Sequence, residues 1–208
     1  MATWRFVNID IKEGHLLADL AGIRDDLEAT DAICNLLMKG VEIKEGIIDF
    51  TMSEALSAAA VVRYARAFIS GKRSTELPKR ILSVLSGELL EKHQWAIDLR
   101  NKYVAHSVNV FEDNQVVAYL MPEERGPKGI SSITVQRLRL ATLGSDNIAD
   151  LKTLCAALMK QVDTLMEEER IKVLEAAKQI PIDKLYALKA EPPFIPKKCD
   201  VGKKRKRK

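Results

Sequence analysis

The chain has 208 residues, 47% hydrophobic and 30% charged, which suits one ordinary globular domain with room for a sizeable core. Its formal charge of +4 misleads, because Lys203 to Lys208 is an unbroken run of six basic residues, and removing those six charges leaves the rest at −2. The basic character therefore belongs to a tail, which argues against a broadly basic nucleic-acid-coating domain.

Residues 1–14 read as an irregular arm with a short strand at Arg5–Ile11, and Trp4 and Phe6 are expected to pack onto the body. Leu16, Leu17, Leu20, Ile23, Leu27, Ile33, Leu36 and Leu37 approximate helical spacing. They predict a first helix from about His15 to Met38, stopped by Gly40. A connector over 40–52 leads to a second helix, about Ser53–Ser70, with Ser53 as a plausible cap. That helix is small and apolar early and then places Arg63, Tyr64 and Arg66 within one turn. The two arginines either pair with acids and snorkel, or one of them adds positive charge for a phosphate.

A third helix is predicted from Pro78 or Lys79 to about Val104, with a break near Ser86–Gly87. Leu89, Ala96, Leu99 and Tyr103 form its core stripe, while Glu88/Lys92 and Asp98/Lys102 are acid-before-base pairs for an exposed face. After His106 the period changes. Val108 and Val110, then Val116, Val117, Tyr119 and Met121, flank EDNQ and suggest a hairpin turning there. Ile133, Val135, Leu138 and Leu140 suggest a third strand with a phase slip between Val135 and Leu138. This small meander, about 107–141, is expected to cover the end of the third helix. Ser145 reads as the cap of a long final helix to about Gln179, which Pro181 ends. Ile182–Leu188 adds one more turn.

The expected architecture is mainly α: an up-and-down helical bundle over 1–190 with a small antiparallel β-meander inserted after the third helix. A disordered basic tail follows at 191–208. Cys34, Cys155 and Cys199 are scattered and unpaired in spacing, which argues for a reducing, cytoplasmic setting and against a disulfide framework or zinc knuckle. Residues 1–17 lack an apolar signal core, and no apolar run is long enough to span a bilayer, so no membrane partner is expected. Neither a glycine-rich phosphate loop, nor H-E-x-x-H, nor G-x-S-x-G is present. Triphosphate hydrolysis, metalloprotease and serine-hydrolase chemistry therefore lack their usual motifs. No metal or cofactor is expected.

The stretch that organises the rest is LLEKHQWAIDLRNKYVAHS, residues 89–107, which ends in the polar cluster Arg100, Asn101 and His106. Arg100 and His106 are six residues apart. At about 100° per residue they would point roughly 120° away from each other on an unbroken helix. Either the helix distorts near Ala105, or a second copy of the motif completes the site. His93, seven residues before Arg100, falls near the same stripe, where it either packs or lines the same cleft. Ser107 adjoins the cluster.

DLRNKYVAHS resembles the signature of the HEPN superfamily, compact helical bundles that carry an arginine, a following polar residue and a histidine four to six positions on. The segment AVVRYARAF and the insertion after His106 resemble a bacterial, abortive-infection branch of that superfamily. The signature covers seven residues, and the order of elements extends the likeness loosely over 15–180. The resemblance implies a homodimeric, metal-independent endoribonuclease in bacterial antiviral defence or a toxin–antitoxin pair. Arg100, Asn101 and His106 of both subunits would meet across a two-fold interface and give 2′,3′-cyclic phosphate ends. RNA is then the substrate, with an antitoxin protein as a further partner in the toxin case. Arg63, Arg66, His93 and Ser107 are the candidates for binding substrate. The tail GKKRKRK offers further phosphate contacts, or is a solvated terminus. Two other expectations compete. One is a non-catalytic HEPN-like module that binds RNA, a nucleotide or a protein. The other is a purely structural helical dimer in which Arg100 pairs with an acid, Asn101 caps a frayed end and His106 sits at a turn.

Overall fold

The computed structural model describes residues 6–40, 42–43, 47–48, 50–68, 73, 77–104, 112–139, 142–189 and 197–203. Within them the protein is mainly helical. Six α-helices follow one another: α1 (Gly14–Met38), α2 (Phe50–Arg66), α3 (Leu77–Leu82), α4 (Glu88–Leu99), α5 (Ser145–Lys178) and α6 (Ile182–Ala187). Two short antiparallel pairs interrupt them, β1 (Glu42–Ile43) with β2 (Ile47–Ile48), and β3 (Glu112–Leu120) with β4 (Ile130–Arg139).

The core explains the helix order. Leu20, Ile23 and Leu27 recur at three- and four-residue steps along α1 and are shielded from water. They face Leu151, Leu154, Leu158 and Val162, which form the matching stripe of α5. α1 also lies against α2, whose Ala60, Val61 and Tyr64 close the same core, while α4 packs against both α2 and α5. Early in α2 the side chains are small, which lets the neighbouring backbones come close. The Ser57 hydroxyl accepts a hydrogen bond from the Leu143 amide at 3.0 Å, tying the approach to α5 onto α2. Polar contacts pin the rims: Arg24 donates to Asp163 at 2.9 Å, and Lys92 lies 2.9 Å from Asp150.

The third helix is divided in two. Gly87 takes φ +50°, a left-handed conformation that suits glycine, and α4 starts immediately after it. α4 is followed by a π-helical turn over Arg100–Val104, so the predicted helix of 78–104 is α3, a break, α4 and a widened last turn. α5 contains 34 residues, so it is about 50 Å long at 1.5 Å per residue and outruns the bundle. Late in it, Ile171 and Leu174 are exposed. Its cap residue is Gly144, and Ser145 is already helical.

Three further expectations are corrected. Residues 6–11 form no strand, and Phe6 is 71% exposed, off the body; Trp4 lies outside the described residues. EDNQ is not a turn but the start of β3, and the reversal is at Pro122–Gly129, so the described insertion is a two-stranded hairpin. Val108 and Val110 lie outside the described residues. The register irregularity falls at Tyr119/Leu120, opposite Ser132 and Ile130, while Val135 and Leu138 pair in regular order with Val116 and Asp113. Val116, Leu120, Ile130, Ile133 and Val135 are all exposed, so no core is there to impose alternation on the strands. Among the described residues the hairpin packs chiefly on itself and does not blanket α4.

Residues 191–196 and 204–208 of the tail lie outside the described residues, and Lys198–Asp200 forms one 3-10 turn. Among the described residues no helix is long and apolar enough to cross a membrane.

Candidate functional site

The polar cluster opens on the π-helical turn. α4 keeps ordinary helical bonding through Leu99, and its stripe of His93, Ala96 and Leu99 is buried. From Arg100 the bonding pattern lengthens from i→i+4 to i→i+5, over Arg100–Val104. The widened turn packs against α2. Such turns are rare in helices and occur disproportionately at functional positions. A distortion near Ala105 falls outside the described residues; the widened turn that is described begins at Arg100 and ends at Val104.

Within this turn the Arg100 guanidinium donates from Nη1 to the Asn101 side-chain oxygen at 3.0 Å, and both residues are half-buried. Among the described residues Arg100 is paired with no acid, unlike the arginine of a purely structural helix end. Among the described residues one of its five N–H donors is engaged, by Asn101, and a guanidinium is the fork that suits a phosphate or carboxylate. Asn101 thus orients Arg100. His106 and Ser107 lie outside the described residues.

His93 sits elsewhere in function. It is 6% exposed, its Nδ1 meets the Tyr64 hydroxyl at 2.8 Å, and the Phe68 ring stands edge-on at 4.9 Å. Burial holds its pKa below the ordinary 6.5, and burial likewise pushes the Tyr64 phenol up. A neutral imidazole held between two aromatic rings serves the α2–α4 contact.

Arg63 and Arg66 meet in an unexpected place. Both reach the carboxylate of Asp26, which is 2% exposed on α1. Arg63 Nη1 is 3.1 Å from Oδ1, Arg66 Nη2 is 3.6 Å from the same oxygen, and Arg73 Nη2 donates to Oδ2 at 2.8 Å. Arg73 is largely committed to the structure, since it also donates to the carbonyls of Gly22 at 3.1 Å and Arg66 at 2.9 Å. Gly22 makes room for it: a Cβ there would stand 3.2 Å from the Arg73 guanidinium. The sequence marks Asp26 and Arg73 only faintly, because a buried aspartate reads like any polar residue on a helix and Arg73 falls between helices.

Two further buried groups are thiols. Cys34 on α1 and Cys155 on α5 are fully buried, and burial pushes Cys34 up to about 11 and Cys155 higher still. These are inert packing residues. Among the described residues no group of three or more His, Cys, Asp or Glu side chains is arranged to hold a metal ion.

Comparison of the chain with protein-family models, with curated proteins and with solved structures finds no match.

Proposed function

We propose that the chain is a metal-independent endoribonuclease of the HEPN type, acting as a homodimer in the bacterial cytoplasm, in defence against infection or as a toxin restrained by an antitoxin protein. One observation carries the reading: Arg100 opens a π-helical turn, half-buried, oriented by Asn101 and paired with no acid among the described residues. A cation placed this way suits an anionic ligand whose charge grows during reaction.

The chemistry follows from residue type. A 2′-hydroxyl loses its proton to one His106 and attacks the adjacent phosphorus, closing a 2′,3′-cyclic phosphate. The bond to the 5′-oxygen breaks, and that oxygen takes a proton from the second His106. Arg100 faces the non-bridging oxygens as negative charge accumulates on them. Asn101 is a positioning residue for Arg100. The homodimer supplies the two imidazoles that one chain lacks, and a two-fold axis brings the two motifs together.

A second reading, a non-catalytic module that binds RNA, a nucleotide or a protein, is favoured by one observation. The arginines on Asp26 offer charge to a phosphate, and among the described residues the only acid paired with them is that carboxylate, 2% exposed and shared by three guanidiniums. Expression toxicity separates the two. The ribonuclease reading predicts growth arrest by the parent and normal growth with His106→Ala at equal protein level. Equal toxicity of both favours the binding module.

A further inference from the structure

We propose that Arg63 and Arg66 form a phosphate-binding site for the backbone of single-stranded RNA, held in place by Asp26 and Arg73. This site rests on the reading of RNA as the ligand, and it is built from residues other than Arg100 and His106.

Three guanidiniums surround one carboxylate, which leaves the cluster at +2, and among the described residues Asp26 is the only acid paired with any of the three. A structural ion pair needs one cation, and Arg73 supplies it: it is 22% exposed and commits its donors to Asp26 and two backbone carbonyls. Arg63 and Arg66 are 45% and 55% exposed. Arg63 gives Asp26 a single bond, and Arg66 approaches it only to 3.6 Å. Each guanidinium has five donors, and among the described residues Asp26 takes one from Arg63 and is approached by Arg66 without a hydrogen bond.

Arg63 and Arg66 are three residues apart in the last turn of α2, so they project from one face as a pair. The helix C-terminus favours cations there, which explains one basic residue but not two that share a third guanidinium's carboxylate. Asp26 acts as an internal anchor: it bonds the Arg63 fork and draws the Arg66 fork to 3.6 Å, so a phosphate meets two cations already gathered side by side. α2, which carries the pair, also packs against the turn that carries Arg100. A polyanion with regularly spaced phosphates can engage both places, whereas a free phosphate engages one.

The test is the salt dependence of binding to a 2′-O-methyl oligonucleotide, whose phosphates are intact and whose blocked 2′-oxygens cannot attack. Every phosphate that no longer meets a cation should flatten the slope of log affinity against log salt by roughly 0.7. Arg63→Gln/Arg66→Gln is expected to flatten it by about 1.4. Arg63→Lys/Arg66→Lys, which keeps two point charges, should stay close to the parent. If the double glutamine variant does not fold, Arg66→Gln alone, whose guanidinium stands 3.6 Å from Asp26, should flatten the slope by about 0.7. A folded glutamine variant with the parent's slope overturns the proposal. So does inorganic phosphate that protects the parent, but not the glutamine variant, against unfolding while leaving oligonucleotide binding untouched, since the site then serves a small anion. Cleavage of unmodified RNA is followed separately: a parent that binds with this slope and cuts nothing leaves the site standing and removes the ribonuclease reading.

Discussion

Arg73 and Asp26 meet at 2.8 Å inside the bundle, and that contact joins the segment after α2 to the middle of α1. The carboxylate is the only described acid serving three cations, so its removal leaves them facing one another. Removing one partner of a buried pair costs about 3–5 kcal/mol. Asp26→Asn is expected near the lower end, because Arg63 and Arg66 can turn to water. Arg66→Gln should cost under about 1 kcal/mol, as for an exposed pair. Urea unfolding of both variants measures the difference, and a similar cost for the two would mean that Asp26 anchors nothing.

Tyr64 and His93 make a stability switch with a definite sign. Burial lowers the imidazole's pKa from 6.5 in the folded protein, so the unfolded chain binds the proton more readily. The stabilisation is complete above pH 6.5 and is lost as pH falls below it through the folded value. His93→Gln should therefore show a shallower loss of stability than the parent as the solution is taken from mildly alkaline to mildly acid pH. Tyr64→Phe, which strips Nδ1 of its partner, should cost about 1–3 kcal/mol at neutral pH. Matched denaturant melts on the two sides of neutrality report both effects.

Thiol chemistry checks the helix core directly. Cys34 and Cys155 are sealed between α1 and α5, and Cys199 is exposed. A thiol reagent should label one cysteine per native chain within minutes, and all three only after unfolding. Rapid labelling of Cys34 or Cys155 in the native protein would contradict the α1–α5 packing.

The hairpin should be energetically separable from the bundle. Val116→Thr and Ile133→Thr fall on exposed cross-strand positions and should change stability by less than about 0.5 kcal/mol. Leu154→Ala, in the fully buried stripe of α5, should cost about 2–5 kcal/mol. Thermal melts of the three variants make the comparison.

The helices are legible in the sequence because their burial is periodic. Leu20, Ile23 and Leu27 on α1, and Leu151, Leu154 and Leu158 on α5, stand at the spacings that a core-facing stripe requires, and Gly87 marks the break before α4. The hairpin is not legible, because exposed apolar residues such as Val116 and Ile133 have no core to alternate against, and the polar EDNQ imitates a turn. Residue type and spacing single out Arg100 and Asn101, yet the π turn beneath them leaves no mark in a helical period. His93 resembles a cleft residue because the same stripe serves cleft and core, and only its partner Tyr64, 29 positions away, decides between them. Asp26 escapes a sequence reading for the same reason: its meaning lies in Arg63 and Arg73, 37 and 47 positions distant.

Cleavage of single-stranded RNA in excess chelator tests the central claim most directly. The parent should cut and leave 2′,3′-cyclic phosphate ends. Arg100→Ala, with an unchanged melting temperature, should fall by about 10²–10³ in rate, the drop that follows removal of one group that stabilises developing charge. Cutting by the parent that persists undiminished in Arg100→Ala, or a pure parent that does not cut at all, would contradict the account.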